Sequence, residues 1–109
     1  MEETGQQESS NQQFAFRRMP AVQKTIREIT EKDIRLRLVG TVIDYQNGSL
    51  LLDDGTGQAE IVSEQPVKTG NFVRVFTRVL QLENNYELRA EVVQDLSNMD
   101  KQLYKRIYN

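Results

Sequence analysis

From Ile34 onward the chain alternates between apolar and polar positions. Ile34, Leu36 and Leu38 are separated by Arg35 and Arg37, and Gly40 and Val42 continue the same register to Tyr45. Alternation of period two predicts a strand with one buried face, and a glycine inside such a strand marks a bend or bulge. Asn47-Gly48 predicts a tight two-residue hairpin into a second strand, Ser49 to Asp53. Asp54-Gly55-Thr56-Gly57 then turns the chain into a third strand, Gln58 to Val62. Lys68-Thr69-Gly70 precedes a fourth, Phe72 to Leu82, on which Val73, Val75, Thr77 and Val79 share a face. After the turn Glu83-Asn84-Asn85, a fifth strand carries Tyr86, Leu88, Ala90 and Val92. The expected core is Leu36, Leu38, Val42, Leu51, Ile61, Val73, Val75, Leu88 and Val92. Upstream, Val22, Ile26 and Ile29 are spaced four and three apart, which predicts a short helical or turn-rich lead-in placed to plug one end of the strand assembly.

The five strands run long, short, short, long, long, with no segment between them long enough for a crossover helix. This rhythm predicts an all-β fold, a five-stranded barrel of the oligonucleotide/oligosaccharide-binding (OB) type over residues 20–94, closed so that few edges remain. An SH3-like barrel is the competing architecture, but its first hairpin usually carries a longer and more irregular loop.

Outside the barrel the pattern changes. Residues 1–19 read as a polar tail, of which the first thirteen hold no apolar periodicity and are expected to be disordered. Phe14 and Phe16 with Arg17 and Arg18 interrupt it, either as an anchor onto the barrel or as a short partner-binding motif, and Pro20 marks the boundary. Residues 95–109 predict a short C-terminal helix. Ser97 and Asp100 have capping-box spacing, Met99, Leu103 and Ile107 form a stripe, and Tyr104 and Tyr108 widen it. Such a helix folds back on its own barrel or packs against partner subunits. Its apolar arc is wide and short helices seldom persist in water alone, which favours subunit assembly.

Composition narrows the chemistry. At 109 residues, with neither histidine nor cysteine, one domain is expected, and disulfides, thiolate metal sites and the commonest general base are excluded. No apolar run is long enough to span a bilayer. Asp53-Asp54-Gly55-Thr56-Gly57 lacks the further acidic ligands of a calcium loop and the glycine-lysine pair of a phosphate loop, so it reads as a β-turn with an aspartate cap and glycines at positive φ. No enzyme activity, metal or cofactor is expected.

The formal charge of −2 is uneven: residues 14–40 carry seven basic and three acidic side chains, whereas residues 41–66 carry five acidic and no basic ones. A protein that grips a phosphate backbone alone usually shows a basic stripe, so independent DNA binding is expected to be weak. The candidate nucleic-acid contacts are Arg35, Arg37, Arg74 and Arg78 on strands, with Tyr45 in the first loop and Tyr86 beside the last hairpin. Arg35 and Arg37 point away from the barrel interior, and Phe72 and Phe76 stand in register with Arg74 and Arg78, a mixed face that is either a wet binding surface or the side a helix covers. Each tyrosine either caps the barrel's end or stacks on a base.

The runs Leu36-Arg37-Leu38-Val39-Gly40-Thr41-Val42, Leu50 to Gly57 and Gly70-Asn71-Phe72-Val73-Arg74-Val75 resemble the OB subunits of replication protein A and its relatives. Arg89-Ala90-Glu91-Val92, followed by Met99 to Tyr104, is similar to the way that family's small and middle subunits pass from last strand to assembly helix. The resemblance implies a non-catalytic subunit whose C-terminal helix joins those of other OB subunits in a hetero-oligomer. Single-stranded DNA would then be held by the complex in replication, repair or telomere maintenance, in the nucleus of a eukaryote and otherwise in the cytoplasm. The subunit interface would be Met99, Leu103, Tyr104, Ile107 and Tyr108. By length the chain resembles the small subunit, and by its polar tail the middle one, although the middle subunit's winged-helix domain is absent. OB subunits of telomere-capping complexes are resembled too. The alternative is a protein-interaction module without DNA binding, similar to the smaller OB subunit of the RecQ-mediated genome instability complex.

Overall fold

Asn47 and Gly48 adopt positive φ angles of 55° and 77°, the conformation that a two-residue hairpin matched to strand twist demands. They join β2 (Arg35–Gln46) to β3 (Ser49–Asp53) in the computed structural model, which describes residues 20–97. Strands β4 (Gln58–Val62), β5 (Phe72–Gln81) and β6 (Tyr86–Asp95) follow, and a two-residue strand, β1 (Val22–Gln23), precedes them. Both the polar tail and the C-terminal segment with Met99, Leu103, Tyr104, Ile107 and Tyr108 lie outside the described residues.

β2 closes the barrel. Its first half, Arg35 to Thr41, pairs antiparallel with β5, and its second half, Thr41 to Gln46, pairs antiparallel with β3. Between them the strand must bend sharply, and Gly40 makes this possible: a Cβ there would lie 2.5 Å from the carbonyl oxygen of Asp53. A bulge follows between Val42 and Asp44, with Ile43 turned outward. β3 pairs with β4, β5 with β6, and a short parallel contact of β4 with β6 completes the circuit. The five strands expected from the sequence thus form the closed OB barrel. β1 adds parallel pairing at Leu36 and Arg37, filling the edge of β2 that β3 leaves free.

The interior is filled by Leu36, Leu38, Val42, Leu50, Leu52, Ile61, Val73, Val75, Val79 and Leu88. Two expected core residues are corrected. Leu51 faces outward and Leu50 and Leu52 face in, because the bulge at Ile43 fixes the register of β3 and the run of three leucines carries no alternation. Val92 is 47% exposed, because β6 holds an extra residue, Glu91, where Thr77 pairs with Ala90 and Phe76 with Val92. The inward position passes to Val93, opposite Val75.

The lead-in is a single 3-10 turn, Ile26–Glu28, with Ile26 and Ile29 packed on the core. Val22 belongs to β1 and is exposed, so the helical spacing with Ile26 does not form one stripe. The turn is fastened by the Asp54 loop: Ile26 N–H donates to Asp54 Oδ2 at 2.7 Å and Arg27 N–H to Thr56 Oγ1 at 3.1 Å. Asp54 Oδ1 also accepts from the Thr56 N–H and hydroxyl, and Asp53 Oδ1 from the Gly55 N–H. Of the glycines expected at positive φ, Gly55 is at 90° and Gly57 is not. Among the described residues no helix is long and apolar enough to cross a membrane.

Candidate nucleic-acid interface

Period two and the pairing register put five arginines on the outer surface of β2, β5 and β6. Arg35 lies opposite Arg78, which in turn lies opposite Arg89, so three arginines form one row across three strands. In the next row Arg37, Phe76 and Val92 are aligned, and in the third Val39, Arg74 and Gln94. Like charges placed directly opposite each other oppose sheet formation. At the ends of the first row this is relieved: Arg35 Nη2 meets Glu91 Oε1 at 2.7 Å, and Arg89 Nε meets Glu87 Oε2 at 2.6 Å. Arg78, in the middle and exposed, makes no ion pair among the described residues.

The arginines of the other rows are held by neutral groups. Arg37 Nε donates to Gln23 Oε1 at 3.1 Å, and Arg74 Nε to Gln94 Oε1 at 2.8 Å. These bonds orient the guanidinium groups without neutralising them. The Arg74 guanidinium lies 6.0 Å from the centroid of the half-buried Phe76 ring. Cations and an aromatic ring interleaved on one surface are the elements of single-strand recognition.

The structure brings Arg35, Arg37, Arg74 and Arg78 together and leaves the two tyrosines elsewhere. Tyr45 packs against the core and its hydroxyl donates to the Ser63 carbonyl at 3.0 Å, fastening the strand end beyond β4. Tyr86 is half-buried at the opposite end, beside the β5–β6 turn. Arg89 was not among the residues expected. Counting outward from the three-residue turn Glu83-Asn84-Asn85 would put Ala90 opposite Arg78; the hairpin instead pairs Leu82 with Asn85, and this shift of one residue brings Arg89 there.

OB folds commonly bind oligonucleotides on the face of their second and third strands, flanked by the first hairpin loop and the last. Here that face belongs to β3 and β4 and presents Ser49, Leu51, Asp53, Gln58, Glu60 and Val62, two carboxylates and no cation. Asp53 and Glu60 are tied to neutral partners: Gln58 Nε2 donates to Asp53 at 3.0 Å and Ser49 Oγ to Glu60 at 2.9 Å. The basic surface therefore lies on the far side of the barrel from the customary one.

No protein-family model matches the sequence, and no curated protein does. Among solved structures, the chain is similar to the telomere capping protein Ten1 from Saccharomyces pombe, with a TM-score of 0.66, 19% identity, and coverage of 81% of this chain and 93% of that one. It is similar to a chain of the S. pombe Stn1–Ten1 complex, with a TM-score of 0.66, 16% identity and coverage of 83% and 90%. A replication protein A heterotrimer bound to single-stranded DNA contains a chain matching with a TM-score of 0.52, 19% identity and coverage of 68% and 66%. At these identities the likeness establishes a shared fold.

Proposed function

We propose that this chain is a non-catalytic OB subunit of a hetero-oligomer that binds single-stranded DNA, of the replication protein A or telomere-capping type. Its principal work there is structural. Met99, Leu103, Tyr104, Ile107 and Tyr108 join it to other OB subunits, and Arg35, Arg37, Arg74 and Arg78, with Arg89 beside them, meet the phosphate backbone. In a eukaryote such a subunit works in the nucleus. The observation that carries the reading is the closed OB barrel with three un-neutralised arginines, Arg37, Arg74 and Arg78, around Phe76 on one outer face. The likeness in fold to a telomere capping protein and to a replication protein A chain supports it.

With Arg37, Arg74 and Arg78 the arginines of that face that make no ion pair among the described residues, the isolated chain should bind oligothymidylate no tighter than about micromolar at physiological salt, within the weak non-specific range. Fluorescence anisotropy on the isolated chain and on the complex purified with its co-purifying subunits tests both parts. Tight binding that appears only in the complex is expected, and nanomolar binding by the isolated chain would overturn the structural emphasis. The acidic β3–β4 face favours a second reading, a protein-interaction module without DNA contact. It predicts a complex whose DNA affinity is unchanged by Arg74→Glu and Arg78→Glu.

A further inference from the structure

β4 and β6 meet at only two residue pairs, Ile61 with Leu88 and Val62 with Arg89. On either side of that contact the strands diverge. Gln58, Ala59 and Glu60 pair with β3 alone, and Tyr86 and Glu87 with β5 alone, so two strand edges face each other across a gap. The gap is a cleft of about 580 Å³, floored by Ile26 and Ile29 of the lead-in and walled by Val62, Leu82 and Tyr86. Leu82 is 51% exposed.

We propose that this cleft takes an extended polypeptide segment of a partner protein in which apolar and basic side chains alternate. Backbone donors and acceptors along two facing edges match another polypeptide backbone, the basis of recognition by strand addition. Alternate side chains of an added strand point to opposite faces, so one set enters the apolar floor and the other meets the rim. That rim carries Glu60 and Glu87, and among the described residues no lysine or arginine lines the cleft. Glu87 is shared with Arg89, whereas Glu60 accepts from the neutral Ser49 hydroxyl and makes no ion pair among the described residues. A phosphate backbone entering here would be repelled, and a lysine or arginine attracted. The proposal is independent of nucleic-acid contact on the arginine face, which lies on other strand surfaces.

The test uses the full chain with three labelled ligands: a fluorescein-tagged decapeptide alternating leucine with lysine, its counterpart alternating leucine with glutamate, and tagged oligothymidylate. The leucine–lysine peptide should bind, and Glu60→Lys and Leu82→Asn should each weaken it at least tenfold. Both positions are exposed, so the barrel should keep its melting temperature. Glu64→Lys, an exposed charge reversal outside the cleft, should change binding less than twofold. Equal loss in Glu64→Lys would reduce the effect to general charge attraction and overturn the proposal. Displacement of the peptide by oligothymidylate, or equal binding of the leucine–glutamate peptide, would overturn it as well. If the peptide binds only after Phe14→Ser and Phe16→Ser are introduced together, the occupant is the chain's own N-terminal segment, and the partner assignment fails.

Discussion

Arg78 is a side chain whose charge works against the fold. It stands between Arg35 and Arg89 with no carboxylate of its own among the described residues. Removing its charge should therefore help the barrel while hurting any anion it holds. Arg78→Gln is expected to stabilise folding by about 0.2–1 kcal/mol, read by urea denaturation. It should also reduce the salt slope of single-strand binding by about 0.7, the loss of one phosphate contact. A destabilised variant would mean that Arg78 serves the fold. Asp33 is the opposite case, a carboxylate whose charge serves structure. Burial pushes its pKa up, but the Lys24 ammonium at 2.7 Å and the Thr30 N–H at 2.8 Å outweigh that, and the net value lies below the ordinary 3.8. A lowered native pKa contributes stability above the unfolded value and loses it as pH falls through the native one. The difference in melting temperature between the wild type and Asp33→Asn should be full at neutral pH and shrink as the pH falls below about 4, the ordinary aspartate value.

At the scale of elements, the Asp54 loop is a fastening. Its carboxylate accepts from Ile26 N–H and from both Thr56 donors, tying the lead-in turn to the mouth of the barrel. Asp54→Ala leaves those donors unpaired and should destabilise the domain by about 1–3 kcal/mol, with hydrogen exchange rising first at Ile26 and Arg27. The sequence announced the loop as a turn, because aspartate followed by glycine has one dominant use, but it did not announce what the free carboxylate oxygen would hold. The five strands were legible for the same local reason: alternation and turn residues are encoded within a few positions. β1 was not, since a two-residue parallel strand has no period, and neither were Leu50 and Leu52 or the outward turn of Val92. Those depend on bulges at Ile43 and Glu91, which are decided by pairing with distant strands. The arginine face was half legible. Period two placed Arg35 and Arg37 outward, but the alignment of Arg35, Arg78 and Arg89 in one row required the register of three strands.

For the molecule as a whole, the surfaces differ in character: arginines outside β2, β5 and β6, carboxylates outside β3 and β4, and a cleft with an apolar floor between β4 and β6. The segment following Asp95 carries the assembly expectation, and Leu103→Asp is its direct test. A charge placed in a bundle core costs several kcal/mol, so co-expressed subunits should no longer co-elute on size exclusion. The circular dichroism of the mutant alone should stay that of the wild type, because among the described residues β2 to β6 fill the core from Leu36 to Leu88. A complex that persists, or a barrel that collapses, would place the segment on its own domain. The division of β2 between two partners also sets an order of events for the chain as it folds. The hairpins of β2 with β3, β3 with β4 and β5 with β6 join neighbours in sequence and form on the microsecond scale. The union of Arg35 with Arg78 spans about forty residues and must wait for a large loop to close. Arg78 already faces Arg89 in the β5–β6 hairpin, so the row of three is completed only when Arg35 arrives at that last step, and counterions that quiet it act on that hairpin and again on the closing of the barrel.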